Sequence, residues 1–502
     1  MPIANQSAED TLQATVQSIV FRSEDGRYTV AGTVREPDGE RVVVVGDLGE
    51  VSPGETLNFR GRWQTHAQYG KRFRATAFAP VLPTTATGIA RYLGSGLIKG
   101  VGPALAARLV EKFGEQTLEV IGSNPQRLLE VAGVGHSRAR AIAEAIKSRG
   151  REAETFAFLM GLGLGPRQAN RIMRSYGEDT VRVVRDDPYL LAEQVRGIGF
   201  RTADRIGRAI GYATDDPRRA SGAALHLVGR AADEGHVFAR MQELLAAGGA
   251  LEVPDERLRE AVSELGSRGL LIVEGEAVYA PPLHQAEIKV ARKLYELATR
   301  RGPIGSGRRA AVEKQSGNER FVREQLEAVD ASLDQGLLVL TGGPGTGKTT
   351  TVRAIVCANR TAERKVVLCA PTGRAAKRIS ETTGFEAMTI HRLLEYNPRA
   401  NSFNRNARFP LEADLVLVDE ASMLDVLLAE KLLDAIAPGA TLVLVGDVDQ
   451  LPPVGAGPVL RELLLSRTCR VVRLVQVFRQ AQRSTIVRAA HQILSGEPPS
   501  VT

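Results

Sequence analysis

The stretch Leu337-Leu338-Val339-Leu340-Thr341-Gly342-Gly343-Pro344-Gly345-Thr346-Gly347-Lys348-Thr349-Thr350 decides the fold of the C-terminal part of the chain. Its apolar run is short and continuous, the pattern of a strand buried on both faces. The run enters a glycine-rich loop that fits G-x-x-x-x-G-K-[ST] without departure. Glycines let backbone amides wrap phosphates, Lys348 neutralises the β and γ phosphates, and the Thr349 hydroxyl is placed to ligate Mg²⁺. The following helix adds its dipole. Gly342, Gly343, Pro344, Gly345, Thr346, Gly347, Lys348, Thr349 and Thr350 are the candidate nucleotide-binding residues. A chance glycine turn could mimic part of this pattern, but not strand, loop and helix together.

Working outward, Leu415-Val416-Leu417-Val418 is a second apolar strand, ending in Asp419-Glu420. Behind a phosphate loop these acids read as a Mg²⁺ ligand and a residue that polarises the attacking water. Alone they would be a strand end meeting solvent. A third strand, Thr441-Leu442-Val443-Leu444-Val445, leads to Gly446-Asp447-Val448-Asp449-Gln450, where Gln450 can sense the γ phosphate. These groups fall where open α/β sheets bind ligands, at the carboxyl ends of strands. The strand Lys365-Val366-Val367-Leu368-Cys369 enters Ala370-Pro371-Thr372-Gly373-Arg374-Ala375-Ala376-Lys377-Arg378, whose hydroxyl and basic groups suit a nucleic-acid backbone. Taken alone, that segment reads as a solvated helix start.

Upstream, a repeat appears in Lys99-Gly100-Val101-Gly102-Pro103, Ala132-Gly133-Val134-Gly135-His136, Gly163-Leu164-Gly165-Pro166 and Gly197-Ile198-Gly199-Phe200. Each lies between an apolar helical stretch and an Ala- and Arg-rich one, the helix-hairpin-helix pattern. Its turn aims backbone amides at a phosphate at the N-terminus of the second helix, independently of base sequence. Gly100, Gly102, Gly133, Gly135, Gly163, Gly165, Gly197 and Gly199 are therefore candidate DNA contacts. Packed helical pairs serving as a rigid spacer are the alternative, and not every hairpin need touch DNA. Before the repeat, residues 11–80 read as strands, among them 15–21, 28–34 and 41–46, separated by Glu24-Asp25-Gly26 and Pro37-Asp38-Gly39. A small barrel of the oligonucleotide-binding (OB) type is expected, either binding a ligand or serving as a plain accessory domain. After the repeat, Gly269-Leu270-Leu271-Ile272-Val273 and Glu276-Ala277-Val278-Tyr279 form a strand pair in a winged-helix-like connector. Residues 302–318 read as a linker or boundary.

The chain has 502 residues and a mass of 54.0 kDa, enough for three or four domains. With 43% hydrophobic and 25% charged residues it is globular rather than disordered. No apolar run reaches the roughly 18–20 residues of a membrane helix, so no span is expected. The polar N-terminus is not expected to be a signal peptide. Cys357, Cys369 and Cys469 follow no metal or disulfide spacing and read as reduced thiols of a cytosolic protein. A net charge of +7, mostly arginine, favours polyanion partners, although an arginine-rich genome would give the same count.

The C-terminal motifs resemble the first motor domain of the RecD-like helicases of superfamily 1. Besides the phosphate loop, the matching stretches are Ala370-Pro371-Thr372-Gly373-Arg374-Ala375-Ala376, Thr389-Ile390-His391-Arg392-Leu393-Leu394, Asp419-Glu420-Ala421-Ser422-Met423-Leu424-Asp425, Gly446-Asp447 through Gly455, and Phe478-Arg479-Gln480. Upstream, His66-Ala67-Gln68-Tyr69-Gly70, Ile98-Lys99-Gly100-Val101-Gly102, Asp187-Pro188-Tyr189-Leu190 and Gly197-Ile198-Gly199-Phe200 match the long bacterial members that act without RecBC partners. The resemblance covers nearly the whole chain. It implies ATP-dependent 5′→3′ translocation on single-stranded DNA with duplex unwinding, in the cytoplasm, using ATP and Mg²⁺. It implies a monomer that engages single-stranded DNA and single-strand/duplex junctions, with single-strand-binding or repair proteins as further partners and no membrane. Carried over residue by residue, Gln325 reads adenine, with an ordinary helix-surface glutamine as the close alternative for that residue alone. Lys348, Thr349, Asp419, Glu420 and Gln450 form the ATP site, and Arg479 touches the γ phosphate. Thr372, Arg374, Thr389 and His391 face the DNA strand. Residues 397–406 fall where the family inserts a duplex-splitting hairpin, or form a surface loop. Val475-Gln476 replaces the family's more usual Thr-Glu.

The expected architecture is multidomain: an OB-like β domain over 1–83, a tandem helix-hairpin-helix region over 84–212, a winged-helix-like connector over 213–300, and an α/β P-loop (RecA-like) motor domain over 301–502. The family's second motor domain, with its arginine finger, is not matched before Thr502. A fragment of a longer protein or an incomplete motor is expected from that. The competing functional reading is an ATP-regulated DNA-binding module that does not translocate. A P-loop ATPase acting on protein complexes is disfavoured by the DNA-facing motifs.

Overall fold

A computed structural model describes residues 10–23, 28–36, 38–46, 48, 51, 53–66, 70–83, 85–94, 98, 100–300, 321–398, 400–478 and 485–499. It divides into two compact units, Met1–Gly222 and Ala223–Thr502. The expected linker over 302–318 lies outside the described residues.

The first unit opens with five strands, β1 (Asp10–Arg22), β2 (Thr29–Arg35), β3 (Arg41–Gly46), β4 (Thr56–His66) and β5 (Gly70–Pro80). They close a barrel in the order β1-β2-β3-β5-β4, with β3 and β5 parallel and the other pairs antiparallel. Alternate residues point inward, and Leu12, Ala14, Val16, Val42, Val44, Phe59 and Phe73 fill the interior. The closing strands β4 and β5 give a weaker sequence signal because small glycine and alanine residues take some of their inward positions. Gly61 is needed at the closure: a Cβ there would lie 2.0 Å from the Arg74 carbonyl oxygen.

The helical array forms two separate cores. Ile98, Val101, Leu105, Leu109, Ile121, Val134 and Ile142 belong to the first, and Phe156, Leu159, Leu164, Ile172, Ile198 and Ile206 to the second. The four hairpins therefore pair as first with second and third with fourth.

In the second unit the helices Met241–Gly249 and Asp255–Ser267 accompany a sheet of β6 (Phe238–Arg240), β7 (Ile272–Glu274) and β8 (Ala277–Tyr279), in the order β6-β8-β7. This is the winged-helix-like arrangement. The motor sheet is wholly parallel. It contains β9 (Leu337–Gly342), β10 (Val366–Ala370), β11 (Ala387–Thr389), β14 (Leu415–Val418), β15 (Thr441–Gly446) and β16 (Arg470–Leu474), in the order β11-β10-β14-β15-β9-β16. A two-stranded hairpin, β12 (Tyr396–Asn397) and β13 (Ser402–Phe403), follows β11. The expected hairpin at this place is thus formed.

The buried guanidinium of Arg364 pins the amino end of the sheet. It donates to Asn359 Oδ1 at 2.7 Å, to the Ser332 and Asp414 carbonyls at 3.1 and 2.7 Å, and to Thr441 Oγ1 at 2.9 Å. Burial holds its pKa below the usual arginine range. With four of its five N–H donors used, the charge is tolerated and the strand starts are fixed.

Candidate nucleotide site and nucleic-acid interface

All the candidate nucleotide residues that the structure describes gather at the carboxyl edge of the sheet. The phosphate loop leaves β9 and enters the helix Lys348–Thr361 through Gly347, whose φ of 84° only glycine adopts readily. A Cβ on Gly347 would lie 2.7 Å from Gln325 Nε2 and 2.9 Å from the Phe478 ring. Gln325 is accordingly 2% exposed and not a surface residue. Its Oε1 accepts from the Val322 amide at 3.1 Å, capping the helix Arg323–Asp334 and leaving the amide end against the loop. Phe478 donates its backbone N–H to the Gly345 carbonyl at 3.2 Å. Sequence reasoning gave Phe478 no role of its own, although it stands in a quoted motif. Arg479 lies outside the described residues.

Lys348 Nζ donates to the carbonyls of Gly342 and Gly343, the latter at 3.1 Å. Its nearest carboxylate is Asp447, at 3.9 Å and 3% exposed. Burial lowers the lysine pKa, while Asp447, Glu420 and Asp419 oppose that shift. Burial, with the neighbouring Glu420 charge, pushes Asp419 up to about 6. Glu420 adopts φ 50°, an uncommon conformation for a side-chain-bearing residue. Its Oε2 and the Ser422 hydroxyl are buried without a hydrogen-bond partner among the described residues. Its Oε1 stands 3.9 Å from Arg378. Gln450 is exposed, with Nε2 3.5 Å from Asp447 Oδ2. Thr349 is half-buried in the first turn of the loop helix.

A ring of acids around one lysine, with two buried oxygens unpaired, fits a site that gains a phosphate chain and a cation. Among the described residues no three His, Cys, Asp or Glu converge to hold a metal by themselves. A cation here would draw on Thr349, Asp419 and phosphate oxygens, the usual manner of Mg²⁺.

The nucleic-acid candidates of this unit lie along the same edge, beyond β10 and β11. Thr372 and Thr389 cap their helices, their hydroxyls accepting from the Ala375 and Arg392 amides at 3.2 Å each. Each hydroxyl keeps its proton free to donate. Thr389 Cγ2 would meet a Cβ on Gly373 at 4.0 Å, so the two caps adjoin. Arg374 is exposed in the first turn beside them. His391 packs on the hairpin instead, 5.5 Å from the Tyr396 ring and 5.6 Å from the Phe403 ring.

In the first unit the four Gly-x-Gly turns share one conformation. Gly100, Gly133, Gly163 and Gly197 have φ of 88, 92, 79 and 84°. Gly102, Gly135, Gly165 and Gly199 are extended N-caps. The apolar residue between them is buried every time: Val101, Val134, Leu164 and Ile198. The amides are not equivalent. Pro103 and Pro166 remove the first helical N–H of the first and third turns, and Gln168 Oε1 takes the Gly165 N–H at 3.2 Å. The second and fourth turns keep His136 and Phe200 at that position, with their N–H groups.

Arginines of the paired hairpin overlie three turns. Measured from a Cβ on the turn glycine, Arg108 Nη2 stands at 3.4 Å from Gly133 and Arg205 Nε at 3.9 Å from Gly163, and Arg171 Nη1 fills the place of a Cβ on Gly197. Arg171 donates to the Arg196 carbonyl. Each is six residues past its own N-cap glycine. Ala141 holds the fourth such place, and the space over Gly100 is open. Only the shared spacing could have signalled this exchange in the sequence.

Comparison with known proteins matches four stretches of the chain to family models. Residues 9–83 match the OB-fold domain described for the ATP-dependent DNA helicase YrrC, and 93–148 a SAM-like helix-hairpin-helix tandem. Residues 148–238 match the helix-hairpin-helix domain of ATP-dependent RecD2 DNA helicases, and 325–456 an AAA domain. RecBCD enzyme subunit RecD of Mycobacterium tuberculosis is 38% identical over 36% of this chain and 35% of its own. The crystal structure of Pif1 helicase from Candida albicans matches 36% of this chain and 46% of its own, at 24% identity and a TM-score of 0.29. The ATP-dependent RecD2 DNA helicase of Deinococcus radiodurans is 35% identical over 97% of this chain, which spans 70% of that relative's length. The chain belongs to the RecD2 DNA helicase family.

Proposed function

We propose that the chain is an ATP-dependent DNA helicase that moves 5′→3′ on single-stranded DNA and opens duplex ahead of it, acting in the cytoplasm. The observation that carries this is the convergence of Lys348, Asp419, Glu420 and Asp447 beneath a phosphate loop, in a chain whose family is that of RecD2. The amides of the loop from Gly342 to Thr349 hold the β and γ phosphates. Lys348 exchanges the Gly342 and Gly343 carbonyls for phosphate oxygens, a swap that its short reach allows. Gln325 has its amide end at the loop and reads the base edge. Bound Mg²⁺ would supply charge neutralisation on the phosphates, and Thr349 and Asp419 are the residues to hold it. Glu420 Oε2, buried and unpaired, orients the attacking water and takes its proton. Gln450, tethered to Asp447, senses the terminal phosphate, and Arg479 is assigned to that phosphate through the family motif.

The DNA strand runs over the capping hydroxyls of Thr372 and Thr389, with Arg374 beside them and His391 at the base of the Tyr396–Phe403 hairpin. Among the Gly-x-Gly turns, the second and fourth are assigned to backbone phosphate, since they keep their amides and receive Arg108 and Arg171. Single-strand/duplex junctions are the expected substrates.

The test is an unwinding assay on a forked duplex with a 5′ tail, using the protein from its complete reading frame. ATP-dependent strand separation with a 5′ tail and not with a 3′ tail is expected. ATP-dependent DNA binding without separation would replace this reading with a DNA-binding module that does not translocate.

A further inference from the structure

We infer that the outer face of β4 and β5 is a binding site for the backbone of a single DNA strand, separate from the motor and from the hairpins. This rests on the reading of the chain as one that works on DNA. Between them the two strands carry Arg60, Arg62, Lys71, Arg72 and Arg74, and no acidic residue. The whole chain is close to balance, with 65 basic residues against 58 acidic. A segment this one-sided is a local feature.

The register decides which cations share a face. Arg62 stands directly across from Arg74, and Arg72 across from Gln64, while Trp63 and Phe73 form the intervening inward pair. Arg60, Arg62 and Arg74 are exposed. Opposed residues of an antiparallel pair have Cβ atoms about 5 Å apart, and like charges placed so repel each other. A fold gains nothing from that arrangement unless an anion lies across it. Elsewhere on the barrel the usual solution is present: Arg35 pairs with both Asp38 and Glu40. Among the described residues Arg60, Arg62, Arg72 and Arg74 have no ion pair, and Arg72 Nε is buried without an acceptor. Asp10, across from Gly61 on β1, is the nearest acid by register.

Geometry favours one strand over a duplex. Arg60 and Arg62 are two residues apart on β4, a step of about 6.7 Å along the strand. With Arg74 opposite, they make a row one backbone wide. No free aromatic platform accompanies it, because Lys71 Nζ sits 4.6 Å above the Trp63 ring. Contact is therefore with phosphates and independent of base sequence.

The experiment compares the full chain with its R60Q/R62Q/R74Q variant in binding a single-stranded oligodeoxynucleotide at several salt concentrations. A second variant, R182Q/R230Q/R257Q, removes three ion-paired surface arginines and so the same net charge. Losing three phosphate contacts should reduce the log–log salt slope by about 2, at roughly 0.7 per contact on single strands. Basal ATPase and melting temperature should stay unchanged, and the control should keep the wild-type slope. An unaltered slope in the first variant, or an equal fall in the control, would overturn the inference. Should the first variant melt early, Arg62→Gln alone must still lower the slope by about 0.7. Wild-type protein that binds no DNA at any salt would instead remove the helicase reading beneath it.

Discussion

The phosphate loop and the Gly-x-Gly turns both present amides at a helix N-terminus, but they acquire their cation by different routes. In the loop, Lys348 is the first residue of the helix and rests on carbonyls of its own loop, so loop and charge come from one stretch of chain. In the hairpins the cation comes from the other member of the pair: Arg171 reaches Gly197, and Arg205 reaches Gly163. Their glycines differ as well. The loop needs its left-handed residue at the N-cap, whereas each hairpin places it two residues earlier and leaves the N-cap extended. The loop is thus a local device that a short motif specifies. The hairpin site is complete only when two segments 25 to 42 residues apart have packed.

The largest effect tests the local device. Lys348→Ala should lower ATPase by about 10²-fold or more, since it removes a charge placed on the transferred phosphate. DNA affinity should remain near wild type, because the hairpins do not use this lysine. Steady-state ATPase together with oligonucleotide binding reads both, and a parallel loss of binding would erase the contrast.

Next come the glycines. Gly197→Ala and Gly100→Ala both force φ above 80° on alanine, at about 1–2 kcal/mol each. At Gly197 the new methyl also displaces Arg171, while at Gly100 it meets open space. Thermal melting should show the larger drop for Gly197→Ala. Equal drops would mean that the guanidinium is not seated there.

A smaller effect is expected from Arg171→Ala. It should reduce the salt slope of duplex-DNA binding by about 0.9 if the fourth turn holds a phosphate. Arg205→Ala should change it little, since the third turn has lost amides to Pro166 and Gln168. Similar slopes for the two variants would make the hairpins a spacer.

The smallest expected shift concerns Asp419. Its carboxyl titrates at about 6 in the fold, above the ordinary value of about 3.9. A raised carboxyl pKa means that the ionised form is penalised, so the nucleotide-free fold loses stability as pH rises through that window. Asp419→Asn removes the penalty. Discounted for the partial exposure of the residue, the gain at pH 8 should be about 1 kcal/mol, or 2–4 °C, and should shrink toward pH 5. Melting curves at both pH values check it. A variant less stable at pH 8 would show that the carboxylate is already compensated.

Residues close in sequence were the legible ones. Leu337–Thr350, Leu415–Glu420 and the four turns are contiguous stretches whose conformation their own composition dictates, and the structure forms them all. At 397–406 the composition fitted a turn and the family resemblance suggested a hairpin, with a surface loop as an equal reading; the structure pairs Tyr396–Asn397 with Ser402–Phe403. The illegible features depend on packing. Arg364 reads as an ordinary surface arginine beside Lys365 until four segments close around it. Gln325 was named only through the family resemblance, because its own neighbours in sequence leave it a surface glutamine until Gly347 is brought against it. The bounds of β4 and β5 within the strand-like region were hidden because their outward residues are cationic and their inward ones include glycine and alanine.

The exchange of arginines bears on how such arrays can be cut, duplicated or transplanted. Removing the third hairpin deletes Arg171 and so takes the guanidinium from the fourth turn, which survives intact in sequence. Removing the fourth deletes Arg205 in the same way. The smallest portable piece in the second half is therefore the couple of hairpins. The first half is lopsided: Arg108 serves the second turn, and Ala141 returns nothing. Its first hairpin acts as a donor, so a grafted second hairpin would arrive without its cation, whereas a grafted first hairpin would leave nothing behind.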